Sequence, residues 1–217
     1  MKFALDLFCG AGGATKGLQM AGYHVTGVDV RPQPNYCGDK FIQADVFDLD
    51  MWGDGYDFIW ASPPCQRYTV LGGREDLSGY PDLIEPVRDR LFKTGRPWAI
   101  ENVPGAPLRI DLELCANTFG LRSYRHRIFE CSFPISAPEH KPHLVRVNRR
   151  GENRLRHWRN GGHITVTGDI GRYCGPEAMG IDWMTGNELS QAIPPVYAKY
   201  IANYLASSVG VMRRKRA

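Results

Sequence analysis

Five short apolar runs, parted by glycine turns or helix-length stretches, fill the first hundred residues, and this rhythm constrains the fold more than any other feature. Phe3–Phe8 (FALDLF), His24–Val30 (HVTGVDV), Phe41–Val46 (FIQADV), Tyr56–Ala61 (YDFIWA) and Trp98–Val103 (WAIENV) read as strands. Ala14–Ala21 and Leu83–Phe92 space their apolar residues at the three- and four-residue intervals of a helix. Strands alternating with such helices build βαβ units, so a doubly wound α/β domain with a mostly parallel sheet is expected. Ile128–Phe133 suits a sixth strand and Ile164–Thr167 (ITVT) another. Pro194–Leu205 (PPVYAKYIANYL) starts with proline where a helix tolerates it and is expected to pack back on the sheet.

Two segments break the rhythm. Gln66–Tyr80 (QRYTVLGGREDLSGY) lacks periodicity and reads as a loop hinged at Gly72 and Gly73. Pro134–Gly162 is rich in Pro, Arg, His and Asn and reads as an insertion. Arg146, Arg149, Arg150, Arg154, Arg156 and Arg159 crowd there with Trp158 among them, although the net charge is only +4. Such a stretch suits a polyanion, nucleic acid above all. The basic run Arg213–Arg216 (RRKR) reads equally as a frayed, solvated tail.

With 43% hydrophobic and 23% charged residues, the chain is neither a disordered nor a membrane composition. No apolar run reaches transmembrane length, and the opening MKFALDLFCGAGG turns glycine-rich without a signal-peptide core. Cys9, Cys37, Cys65, Cys115, Cys131 and Cys174 form no C-x-x-C pair or regular spacing, which fits a reducing compartment. A cytoplasmic monomer is expected.

In open α/β sheets ligands bind beyond the carboxyl ends of the strands, and here those ends are polar. Phe8-Cys9-Gly10-Ala11-Gly12-Gly13 is a glycine turn opening a helix, which lets a ligand approach the backbone. Asp29 ends the second strand about 20 residues on, where a carboxylate accepts from ribose hydroxyls. Asp45 ends the third, within reach of an adenine amine. Each aspartate reads equally as a turn cap. The spacing G-x-G-G departs from G-x-G-x-x-G and favours adenosylmethionine over NAD. Ser62-Pro63-Pro64-Cys65-Gln66 stiffens the backbone before a cysteine, making Cys65 a candidate nucleophile. Glu101 ends the fifth strand on the same edge, where a carboxyl beside an apolar base would hold its proton and donate. Arg125 and Arg127, two apart in an extended segment, aim two cationic forks at one cleft.

Taken in order, these segments resemble the cytosine-C5 DNA methyltransferase family. Asp6–Gly13 (DLFCGAGG) is similar to its first motif, SPPCQ with Tyr68 and Thr69 to its fourth, ENV to its sixth, RHR to its eighth and Gln191–Ile201 (QAIPPVYAKYI) to its tenth. The resemblance implies that Cys65 attacks C6 of cytosine, that Glu101 engages N3 and the exocyclic amine, and that Arg127 binds O2 with Arg125 in support. It implies S-adenosyl-L-methionine as cofactor, in a pocket formed by Phe8, Cys9, Gly10, Ala11, Gly12, Gly13, Asp29, Val30, Asp45, Val46, Pro64, Gln191 and Ala192. Double-stranded DNA is the implied partner, with the target base leaving the stack and the Gln66–Tyr80 loop closing over it. Gln66, Arg67, Tyr68, Arg149, Arg150, Arg154, Arg156, Trp158 and Arg159 are the candidate DNA contacts. Residues 1–133 and 176–210 then form the catalytic and cofactor-binding domain, 134–175 a reduced target-recognition region and 211–217 a basic tail.

The recognition segment is far shorter than is usual in that family, the ninth motif is scarcely recognisable in GPEAMGIDWMTGNELS, and Ser190-Gln191 stands where the tenth motif has Gly-Asn. The same chemistry on tRNA or a free cytosine nucleotide, and a silent DNA-binding relative, are the competing readings. His140 and His143 form H-x-x-H with Cys131, His157, His163 and Cys174 nearby, but the spacings are irregular and no metal is assigned.

Overall fold

The structure, a computed structural model, describes residues 1–50, 52–68, 79–149, 151–167 and 173–214. Arg150, Thr69, Gly72 and Gly73, and the tail from Lys215, lie outside the described residues.

At the centre runs β1 (Lys2–Leu7), whose inner four residues are buried on both faces, as a strand flanked by helical layers must be. It pairs in parallel with β2 (Tyr23–Asp29) on one side and β4 (Phe58–Ala61) on the other. β3 (Lys40–Gln43) adds to β2, and β5 (Trp98–Asn102) to β4, both parallel. Beyond β5 lies β7 (Arg127–Cys131), antiparallel to it, and then β6 (Leu112–Leu114), antiparallel to β7. The order is therefore β3-β2-β1-β4-β5-β7-β6. The chain winds outward in one direction from β1 and in the other from β4, so the switch point lies between these two strands. The glycine turn follows β1 and the SPPC segment follows β4, which brings both to that crevice.

Helices cover both faces. On one, α1 (Gly13–Met20) and α6 (Pro195–Arg214) bury Leu18, Tyr197, Ala198, Ile201 and Leu205 against Val25, Phe58, Trp60 and Phe129. On the other, α2 (Ile84–Lys93) buries Ile84, Val87 and Leu91 against Leu5, Leu7, Ile59 and Ile100. Gly17 makes the α1–α6 approach possible: a Cβ there would stand 2.0 Å from the Pro195 carbonyl oxygen.

Several expectations are corrected. The third strand stops at Gln43, because the Asp45 carboxylate accepts from Phe47 N (2.9 Å) and caps a 3-10 turn over Val46–Asp48. Ile164–Thr167 is not a strand. Its neighbour His163 makes one isolated bridge to Val147, while Ile164 N donates to Arg122 O and Thr165 N to the Asn148 side chain, a pattern no ladder produces. β6 and the helices α3 (Arg154–Arg159), α4 (Gly175–Met179) and α5 (Gly186–Gln191) are too short to leave a periodic signature. α6 continues past Leu205 to Arg214. Among the described residues no helix is long and apolar enough to cross a membrane.

Candidate active site

Ser62 N donates to Leu7 O (3.1 Å) just past β4, tying the start of the proline segment to the end of β1. Asn102, fully buried at the end of β5, donates through Nδ2 to Pro63 O (3.0 Å), while its Oδ1 accepts from Val103 N. Two fixed prolines and this side-chain clamp define where Cys65 projects. Tyr68 N donates to Cys65 O (2.9 Å) and turns the chain back. Cys65 is half-buried and lines a cavity of about 440 Å³ with Val103, Arg125, Arg127, Ile164 and Val166 among its walls. All six cysteines are thiols.

Glu101 is buried at 6% exposure, and its carboxylate pairs with Arg127 Nε at 2.9 Å. Its partner is thus the arginine that the resemblance assigns to the same base. Arg127 also donates to His126 O (2.7 Å). Arg125 departs from the picture of two parallel forks. It donates to Val166 O (2.8 Å) and Ser190 O (2.7 Å), so it ties the insertion and α5 to the cleft wall. Burial, and next the Arg127 guanidinium, push Arg125 down to about 9, which leaves it charged at neutral pH. Its Nε is buried without a partner, as is Oε1 of Gln66 beside Cys65.

At the end of β1, Phe8 takes φ 60 and Gly10 and Gly12 take φ 50 and 93, a backbone reversal only glycine adopts freely. Nothing lies within 4 Å of where a Gly10 Cβ would be, so the turn leaves open space beside it. Asp29 accepts from Gly10 N (3.0 Å) and Arg31 N (3.0 Å), keeping its carboxylate against that space. Asp45 is exposed at the next strand end. This turn with two carboxylates in strand order fits an adenosine-containing cofactor. Cys9, Ala11 and Val46 are buried in the core, whereas Val30 and Gln191 are exposed. Gly12 and Gly13 are buried, where a Cβ would meet Cys37 Sγ (2.7 Å) and Ile193 O (2.6 Å), and Phe8, Pro64 and Ala192 are half-buried.

The basic insertion divides. Arg149, Arg156 and Arg159 are exposed, and Arg154 is half-buried. Trp158, expected to stack on a base, is instead buried at 6% in a cluster with Ile164, Cys174 and Ala178, and Arg122 lies 3.6 Å above its ring. A tryptophan amid arginines marks a small core as readily as a nucleic-acid contact. After Cys65, Arg67 donates to Tyr80 O (2.9 Å) and the Tyr68 hydroxyl bonds to Asp82. Asn102 and Tyr124 carry no role in the sequence pattern; a polar side chain inside an apolar strand run is the available signal for the first.

His140 and His143 do not meet the partners anticipated for them. Cys131 is buried on β7, His157 and His163 face Arg146 O and Asn117, and Cys174 joins the Trp158 cluster. They gather instead with Cys115 and His126.

No protein-family model matches the chain. It is similar to the type II methyltransferases M.AgeI of Thalassovita gelatinovora (22% identity over 63% of this chain and 37% of that one) and M.AplI of Arthrospira platensis (26% over 59% and 45%). The chain spans less than half the length of these curated relatives. Among solved structures, a protein described as a DNA modification methyltransferase encoded within an E. coli prophage aligns over 97% of this chain and all of its own (TM-score 0.61, 15% identity). The Dnmt2 methyltransferase of S. pombe aligns over 95% and 99% (TM-score 0.59, 16% identity). The fold is that of the adenosylmethionine-dependent methyltransferases, a class whose methyl donor is S-adenosylmethionine. The resemblance of the motifs to the cytosine-C5 DNA methyltransferase family is borne out by these comparisons.

Proposed function

We propose that this chain is a DNA (cytosine-5-)-methyltransferase acting through a covalent Cys65 adduct. The supporting observation is that Cys65 and Arg127 line one cavity, with Glu101 bonded to Arg127. A cytosine rotated out of the duplex, at a cost of a few kcal/mol, presents its O2 to Arg127 and its N3 and amine to Glu101. The Cys65 thiolate adds to C6, and the electron pair of the C5–C6 double bond shifts to C5, held by the contacts of Glu101 to N3. S-adenosylmethionine, when bound by Gly10–Gly13, Asp29 and Asp45, supplies an electrophilic methyl group for C5. Loss of the C5 proton then re-forms the double bond as the Cys65 sulfur leaves. Asn102 positions the nucleophile and Arg125 the wall opposite. Arg149, Arg156 and Arg159 contact phosphates, which fixes register and carries no sequence information.

Labelled cofactor incubated with duplex DNA, tRNA and cytosine nucleotides tests the reading. Label enters DNA at C5 of cytosine, and Cys65→Ser abolishes it. Incorporation into RNA or nucleotide alone overturns the DNA assignment. Duplex carrying 5-fluorocytosine, whose C5 fluorine cannot leave as a proton does, traps the adduct; a chain that binds this duplex without forming a cofactor-dependent bond is a binding relative only.

A further inference from the structure

Four donor atoms from three separate segments converge on the side of β7 away from Glu101. Cys115 follows β6, His126 precedes β7 between the two arginines, and His140 and His143 come from the insertion. One ligand atom of each lies within 4.8 Å of all the others. Cys115 Sγ is 3.4 Å from His143 Nε2, which is 3.3 Å from His126 Nε2. Zinc held at about 2.0–2.1 Å by imidazole and about 2.3 Å by thiolate sets tetrahedral neighbours roughly 3.3–3.6 Å apart. Both separations match edges of that tetrahedron, and the remaining donor pairs lie within 4.8 Å.

The surroundings prepare the donors. His126 Nδ1 bonds to the Glu113 carboxylate, a contact that orients the ring with Nε2 facing the cluster. Tyr124 stacks on His143 with ring centroids 3.8 Å apart and planes 18° apart, and its hydroxyl both donates to Val145 O (2.9 Å) and accepts from Val145 N (3.0 Å). The plane of His143 is thereby fixed from both its ring face and its following backbone. The centroid of His140 lies 4.9 Å from that of His143 and 5.3 Å from that of His126. One thiolate and three imidazoles without an open position make a soft, closed, tetrahedral set, the chemistry of a structural zinc ion.

We propose that Cys115, His126, His140 and His143 bind one zinc ion that fastens the insertion to the strand bearing Arg127. Residues 134–146 hold no helix or strand, so the ion supplies the cross-link that regular structure does not. Its consequence reaches the cleft through His126, whose carbonyl accepts from Arg127 and whose neighbour Arg125 grips Val166 O and Ser190 O. The proposal stands apart from the assigned reaction, because metal binding is read without substrate.

Metal analysis of the purified full chain, reconstituted with a zinc salt and dialysed, tests it. About one zinc per chain is expected, and the double variant His140→Ala/His143→Ala, both exposed and outside regular structure, loses it while its far-ultraviolet dichroism is unchanged. Cobalt substitution gives a thiolate-to-cobalt charge-transfer band that Cys115→Ser removes. Glu113→Gln keeps the ion but weakens it about 10- to 100-fold against a competing chelator. A reconstituted chain without stoichiometric zinc, or a double variant that retains it, overturns the assignment.

Discussion

Arg127 and Glu101 are joined across the antiparallel β5–β7 pair by an ion pair of 2.9 Å, with side-chain exposures of 12% and 8%. Glu101 stands opposite Phe129 in the register, so Arg127, two residues earlier, is its diagonal neighbour on the same face. The sheet therefore builds this contact, and a loop movement cannot easily break it.

A buried pair of this kind is costly to break from one side. Removing one partner strands the other charge in a poorly solvated site, at about 3–5 kcal/mol. Arg127→Met and Glu101→Gln are each expected to lower the unfolding free energy by that order, read from urea titrations. The double variant should lose clearly less than the two together, because neither charge is then left alone. Additive losses in unfolding titrations would show that the two groups do not depend on each other.

Asn102 offers a separate handle on the nucleophile. Its amide holds Pro63 O two residues before Cys65. Asn102→Ala leaves that carbonyl without its donor and should cost about 1–3 kcal/mol in stability. The more telling readout is kinetic: the rate of covalent trapping on 5-fluorocytosine duplex falls while cofactor affinity, which the proposed function places at the β1 turn, is unchanged. Equal loss of both would make Asn102 a general stabiliser.

The parallel core was legible because buried strands and amphipathic helices repeat at different periods, and FALDLF, FIWA and WAIEN carry little else. That Cys65, Glu101 and Arg127 sit at one edge of the sheet was legible because each lies at a strand end. Trp158 and Ile164–Thr167 misled because a small satellite cluster uses the same residue types as a stacking surface or a strand. Cys115 and His126 lie 11 residues apart and distant from His140, and only the pairing of Leu114 with Arg127 in the sheet shows that they adjoin. No linear spacing encodes that register.

Gly17 tests the helical layer. A Cβ built there meets Pro195 O at 2.0 Å and Ala198 Cβ at 2.8 Å, and the first of these is backbone that cannot rotate away. Gly17→Ala gains intrinsic helix propensity, up to about 1 kcal/mol, yet overpacking costs about 1–3 kcal/mol and should win. Thermal unfolding of this variant is expected at lower temperature than the parent; a rise would mean that α6 can shift from α1 without loss.

Asp6 gives the fold a defined response to pH. It is wholly buried in β1, with Thr15 Oγ1 donating to Oδ2 at 2.5 Å and Oδ1 without a partner. Burial, reinforced by the charges of Asp29 and Glu101 and opposed by the Thr15 bonds, raises its pKa from 3.8 to about 7. Between these values the native state keeps a proton that the unfolded chain has released, so the unfolded state gains as pH rises from about 4 towards 7. Asp6→Asn cannot titrate, and its amide oxygen still accepts from Thr15. Relative to this variant, the parent should lose stability steadily over that window and run parallel to it above pH 7. Urea midpoints at half-unit steps would show it, and matching slopes for both proteins would refute a proton held on Asp6.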